Sequence, residues 1–95
     1  MSQAAGEETV EREFTIQNKL GLHARPAALF VQTANQFSCD VEVTKDGETV
    51  DGKSIMGIMT LAAHQGAVIR VRTRGKDAQE AMEALAKLIE SDFGE

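Results

Sequence analysis

Ninety-five residues, with ten Lys and Arg against fifteen Asp and Glu, one Cys and no Trp or Tyr, describe one small acidic domain of formal charge -5. A chain of this length buries at best roughly two thirds of its unfolded surface, which leaves no room for a second domain. No apolar run approaches the roughly 20 residues that span a bilayer, so membrane insertion is not expected.

Residues 1–8 are polar and acidic with no apolar core; they read as a flexible tail before a domain at 9–95, and as neither a secretory signal nor a transit peptide. A single cysteine cannot form an internal disulfide, so a reducing cytoplasm is the expected compartment. Glu13 to Asn18 alternates, with Phe14 and Ile16 on one face and Glu13, Thr15 and Gln17 on the other, which predicts a half-buried strand. From Ala24 to about Phe37 clustered Ala, Leu, Phe and Val predict a helix, with Pro26 in the first turn, where a missing N–H does no harm. Asp40 to Asp51 places Val41 and Val43 before Asp46–Gly47 and Val50 after it, a hairpin whose turn needs positive backbone dihedrals. Ser54 is a good N-cap for one or two helical turns over Ile55 to Leu61.

Val68 to Arg74 alternates again, Ile69, Val71 and Thr73 against Arg70, Arg72 and Arg74. The last segment sets Ala78, Ala81, Met82, Leu85, Leu88 and Ile89 on one helix face, and Asp77 with Glu80 resembles a capping box. The order is βαββαβα. Strands that need only one apolar face predict an antiparallel sheet covered on one side, a two-layer α+β open-faced sandwich.

The charge is uneven. Residues 1–13 carry four acids and one base, and residues 76–95 six acids and two bases, so the ends hold -3 and -4 and residues 14–75 hold +2. A negative ligand or partner would meet the middle of the chain.

Gly21-Leu22-His23-Ala24-Arg25-Pro26 lies between the first strand and the first helix. Orphan N–H groups and the positive end of the helix dipole converge there beside the Arg25 charge, which makes an anion site with a nucleophile in it. Imidazole, with an ordinary pKa of about 6.5, attacks electrophiles at neutral pH without a separate base. If the electrophile is a phosphoryl group, the product is a phosphoimidazole whose oxygens can accept from the helix N–H groups and from Arg25. On the residues alone, His23 reads equally as a cap or surface histidine, and Arg25 as a solvated side chain.

Lys53-Ser54-Ile55-Met56-Gly57-Ile58-Met59 is the second constellation. Five apolar residues in seven cannot all point inward from a two-turn helix, so part of the cluster should be exposed as a docking surface. A phosphate on Ser54 would be tolerated at the helix start and would change docking without unfolding the domain. Arg70, Arg72 and Arg74 read as a solvated sheet face and not as an RNA stripe, since no aromatic residue is interleaved and no nucleic-acid partner is expected. His64 reads as a loop or helix-end residue and Cys39 as a buried or half-buried residue at a strand edge. Two histidines and one cysteine give no expectation of a metal or other cofactor. No paired carboxylates, Gly-rich phosphate loop or Ser/His/Asp set points to a self-contained enzyme.

The two constellations together resemble the histidine-containing phosphocarrier family, HPr, of the phosphoenolpyruvate-dependent sugar phosphotransferase system. Gly-Leu-His-Ala-Arg-Pro-Ala-Ala at 21–28 is similar to its phosphohistidine motif and Lys-Ser-Ile-Met-Gly-Ile-Met at 53–59 to its regulatory serine motif. The resemblance runs from about residue 9 onward and implies four antiparallel strands under three helices. It implies that His23 takes a phosphoryl group on Nδ1 from phosphorylated enzyme I and passes it to A-type sugar permease components, while Arg25 orients that group. It implies that Ser54 is the target of an HPr kinase/phosphorylase, with a catabolite regulator as a further partner, and that Ile55, Met56 and Met59 lie on the shared docking face. Leu20 stands where many sugar-branch members have a small polar residue, and Asn18-Lys19-Leu20-Gly21 is similar to the nitrogen-related branch, whose carrier feeds a regulatory relay. Two further readings stay open: a regulatory binding module read through Ser54, and an unrelated ligand-binding α+β domain. A relay protein that presents one face to successive partners is expected to be a monomer.

Overall fold

A computed structural model describes residues 8–95. Its elements are β1 (Glu8–Thr15), α1 (Ala24–Ala34), β2 (Asp40–Lys45), β3 (Glu48–Asp51), α2 (Ile55–Thr60), β4 (Val68–Gly75) and α3 (Ala78–Glu90), followed by a 3-10 turn at Asp92–Gly94. The tail expected over residues 1–8 lies outside the described residues except for Glu8, the first residue of β1. The four strands form one antiparallel sheet in the order β1-β4-β2-β3, with three helices on one side, as the α+β open-faced sandwich requires.

The alternation along β4 decides which side is covered. Ile69, Val71 and Thr73 are buried, and Arg70, Arg72 and Arg74 are exposed on the open face. Thr73 tolerates full burial because its Oγ1 donates to the Ala78 carbonyl at 2.9 Å. Each arginine is flanked by acids or hydroxyls on both neighbouring strands: Glu13 and Thr44 beside Arg70, Glu11 and Glu42 beside Arg72, Thr9 and Asp40 beside Arg74. Arg70 pairs with Glu13 at 3.2 Å and Arg74 with Asp40 at 3.9 Å, so the stripe is laced with opposite charge and offers no continuous positive surface.

The helices supply the other half of the core. α1 buries Pro26, Ala27, Phe30, Val31 and Ala34, and α3 buries Ala78, Ala81, Met82, Leu85, Ala86 and Ile89, each set at the spacing of one helix face. Full burial of a side chain such as Phe30 or Leu85 contributes about 2–3 kcal/mol relative to exposure. The β2–β3 hairpin turns on Asp46 and Gly47, both at positive φ (52° and 83°), as its sequence demands.

β1, α1 and the cap of α3 differ from the sequence reading. β1 starts five residues before Glu13 and stops at Thr15; beyond it Ile16 joins the loop Ala63–Ala67 through backbone bonds to Gly66 and Ala67. α1 ends at Ala34, not Phe37, where Gln36 and Phe37 close tighter bonds to Thr33 and Ala34 and the Asn35 side chain takes the Val31 carbonyl. Asp77 stands at the N-cap of α3 but makes no side-chain cap bond. Its carboxylate instead accepts from the Ser38 and Cys39 N–H groups, both at 2.9 Å, and so ties the α1–β2 loop to the start of α3. These donors, the Ser38 N–H first, hold the Asp77 carboxyl below its ordinary range. Burial, reinforced by Asp77, pushes the Cys39 thiol up to about 11, so it stays protonated and packs as a small apolar residue.

Candidate functional site

Gly21 sets the entrance to α1. Its φ is +66°, and a Cβ there would lie 2.3 Å from the Ala63 carbonyl oxygen, so only glycine lets this loop lie against residues 63–64. The next residue locks the register, Leu22 N–H donating to the same carbonyl at 2.8 Å while its side chain is buried. The loop is braced from inside by Asn18, a buried residue whose Nδ2 donates to the Gly21 carbonyl at 2.7 Å.

With the loop fixed, His23 becomes the N-cap residue of α1, in extended conformation, its carbonyl accepting from Ala27 N–H at 3.0 Å. Its imidazole makes no cap bond and is about one third exposed. Pro26 has no N–H, and among the described residues no acceptor takes the N–H of Ala24 or Arg25. Two backbone donors and the positive helix end therefore face outward next to the ring. Arg25, two thirds exposed, adds a guanidinium.

A carboxylate already sits there. Glu95 Oε2 lies 2.9 Å from His23 Nε2 and 3.9 Å from Arg25 Nε, and Oε1 accepts from Asn18 Nδ2 at 3.1 Å. Burial opposes its ionisation, but the hydrogen bonds from Asn18 and His23 and the charges of His23 and Arg25 outweigh it and hold the Glu95 carboxyl below the usual range. The residue is brought there by Phe93, buried and in left-handed conformation at φ 56°, which folds the chain back after α3. Neither Glu95 nor Phe93 was legible as part of the site: 72 residues separate Glu95 from His23, and the only hint is an aromatic residue beyond the end of an amphipathic helix.

Ser54 is the N-cap of α2, and its Oγ accepts from Gly57 N–H at 3.0 Å. No hydrogen bond or ion pair joins it to His23 or Arg25; the two places are related because α2 packs on α1. Ile58 is buried, whereas Ile55, Met56 and Met59 are 43%, 73% and 41% exposed. Leu20, in the loop before His23, is 72% exposed and joins them as a large apolar side chain left in solvent. Lys53 holds this segment to the α1–β2 loop through Nζ on the Phe37 carbonyl at 2.7 Å. His64 is exposed in the loop after α2.

A concavity of about 510 Å³ opens on the uncovered face of the sheet, between Asp40, Glu42, Asp51, Lys53, Arg72 and Arg74, and none of the groups at the start of α1 reaches it. Among the described residues no three His, Cys, Asp or Glu side chains are grouped as metal ligands. The start of α1 thus presents a partly exposed imidazole beside open backbone donors and a guanidinium.

A family model described as the PTS HPr component phosphorylation site matches residues 10–91. The phosphocarrier protein HPr of Xylella fastidiosa is 51% identical over 86 residues, covering 90% of this chain and 97% of its own. The crystal structure of HPr from Thermoanaerobacter tengcongensis superposes with a TM-score of 0.88 at 56% identity, over 90% of this chain and 97% of that one. Crh, the Bacillus subtilis catabolite repression containing protein, forms an intertwined dimer with a swapping domain in its crystal structure; it matches with a TM-score of 0.71 at 47% identity, over 87% of this chain and 95% of that one. With the site's geometry and these matches in agreement over nearly the whole chain, the protein belongs to the HPr family of phosphocarriers of the phosphotransferase system.

Proposed function

We propose that His23 accepts a phosphoryl group on Nδ1 from phosphorylated enzyme I and hands it to an A-type permease component, working in the cytoplasm as a carrier and not as a catalyst. The observation that carries this reading is the uncapped imidazole of His23 at the start of α1, beside the open N–H groups of Ala24 and Arg25. In the accepting step the Nδ1 lone pair forms the N–P bond, while the bond from phosphorus to the donor breaks and its electron pair leaves with the donor. The phosphoryl oxygens are received by the N–H groups and by the Arg25 guanidinium, donors that gain strength as the partner's surface excludes water. Handing on is the reverse process with a different acceptor.

Ser54 is the regulatory position in this account. Its hydroxyl caps α2 beside the exposed Ile55, Met56 and Met59, so a phosphate placed there by an HPr kinase/phosphorylase adds charge to the docking face and leaves the core untouched. The likeness to Crh supports a second reading, in which the chain also acts as a module bound by a catabolite regulator when Ser54 carries phosphate. The free carrier is proposed as a monomer.

Incubation with phosphoenolpyruvate and enzyme I tests the first reading: one acid-labile phosphate is expected, absent in His23→Ala. Equal labelling of that variant overturns it. Discharge of the labelled chain to a sugar permease A component, and not to a nitrogen-branch one, assigns the relay; the converse outcome places the chain in the nitrogen branch.

A further inference from the structure

Sulfur in this chain is distributed unevenly between core and surface. The one thiol, Cys39, is buried and stays protonated at neutral pH, so the thiolate that peroxides attack is nearly absent. Met82 is 1% exposed on the core face of α3. Met56 and Met59 are 73% and 41% exposed and stand three residues apart on one face of α2, where only Ile58 turns into the core. Susceptibility of sulfur to oxidation follows exposure, so among the described residues the atoms open to an oxidant are the two thioethers beside Ser54. Ile55 on the same segment serves the apolar surface with hydrocarbon alone; the methionines add a reactive atom to it.

We propose that Met56 and Met59 form a peroxide-sensitive modification site: conversion of these exposed thioethers to sulfoxides weakens docking of enzyme I and so slows the loading of His23. The proposal rests on the reading of His23 as phosphoryl acceptor and of the exposed side of α2 as the docking face. In the step, a sulfur lone pair takes one oxygen of hydrogen peroxide, the O–O bond breaks, and the second oxygen leaves as water after proton transfer. Sulfur is oxidised and peroxide reduced, with no other reactant. The product carries a strong acceptor oxygen on a side chain that had been apolar, and a partner closing an apolar surface over it leaves that oxygen without a donor. The domain itself loses nothing, because neither side chain packs in the core. The change is reversible: methionine sulfoxide reductase with a thiol reductant restores the thioether, the oxygen leaving as water while two thiols close to a disulfide. Oxidation thus adds polarity to the face that the proposed phosphate on Ser54 would charge, by chemistry that needs no kinase.

The test treats the full chain with graded hydrogen peroxide, maps each methionine and Cys39 by peptide mass spectrometry, and measures initial rates of labelling by phosphoenolpyruvate and enzyme I over a range of chain concentrations. Sulfoxide should appear at Met56 and Met59 well before Met82, with Cys39 unmodified and Tm within a few degrees of the untreated sample. KM for the chain should rise about tenfold, the factor that one polar group left unpaired in a buried contact supplies, with a smaller change in kcat. Methionine sulfoxide reductase should bring KM back. A variant carrying Met56→Leu and Met59→Leu is compared with its own untreated sample, so that any effect of leucine on docking cancels, and its KM should hold through the same treatment. Oxidation that reaches Met82 or Cys39 first overturns the proposal. So does a parent that carries both sulfoxides and keeps its KM, or a leucine variant that loses as much as the parent; in these cases the carrier reading stands. An untreated parent that takes no phosphate overturns the acceptor reading itself and the proposal with it.

Discussion

Gly21→Ala joins local backbone chemistry to the site more directly than any other single change. The residue holds φ +66°, a region that costs an L side chain roughly 1–2 kcal/mol. The new methyl would also lie 2.3 Å from the Ala63 oxygen and 2.7 Å from the His64 Cα, both backbone atoms that cannot swing aside. Relieving that contact moves the loop off residues 63–64 and breaks the 2.8 Å bond from Leu22 N–H to Ala63, a further loss of about 1 kcal/mol. The sum is about 2–3 kcal/mol, a fall in Tm of roughly 10–20 °C for a domain of this size. Gly47→Ala is the matched control: its φ is +83° but nothing lies within 4 Å of the added methyl, so only the dihedral cost applies. Thermal unfolding followed by circular dichroism compares the two. Phosphate acceptance by His23 should fall in the Gly21 variant and hold in the Gly47 variant. If Gly21→Ala melts no lower than Gly47→Ala, the close approach of loop to loop does not matter and the placement of His23 has another cause.

Other outcomes follow from the same geometry. Replacing Arg25 by Glu sets a negative charge beside the incoming phosphoryl group and should slow transfer through His23 with little change in Tm; equal rates in variant and parent remove Arg25 from the mechanism. Ser54→Ala loses the cap to Gly57 N–H, which costs about 1 kcal/mol, and abolishes the acid-stable phosphate added by ATP and the kinase; a variant that still takes that phosphate shows that Ser54 is not the target. Asp77 has a carboxyl depressed in the folded state, so its stabilisation is present above the unfolded value near pH 4 and is lost as pH falls through the lower folded-state value. The gap in Tm between the parent and Asp77→Asn should therefore be steady from neutral pH down to about 5 and shrink below about 4; a gap unchanged in strong acid contradicts the Ser38–Cys39 clamp.

What could be read in advance depended on how local the cause was. The Val68–Arg74 alternation, the Asp46–Gly47 turn and the Ser54 cap are each set by neighbours a few residues away, and each formed where its residues said it would. The early part of β1 was not legible. Glu8 to Glu13 lies in a strand at the edge of the sheet, and Val10 is the only apolar residue it turns toward the core, so no alternation announces it. Asp77 followed by Glu80 spells a capping box, yet the carboxylate meets Ser38 and Cys39 at the start of the neighbouring strand β2, a competitor that no window around residue 77 contains. The site divides in the same way. His23, Arg25 and the helix start are contiguous in sequence, whereas Asn18 and Glu95 join them only after α3 has packed and Phe93 has turned the chain back.

Mass spectrometry of the chain after incubation with phosphoenolpyruvate and enzyme I puts the central claim to the most direct test. The account predicts one added phosphoryl group, lost in acid, localised to His23 and absent in His23→Ala. A phosphate that survives acid, or one that the alanine variant still acquires, would contradict it.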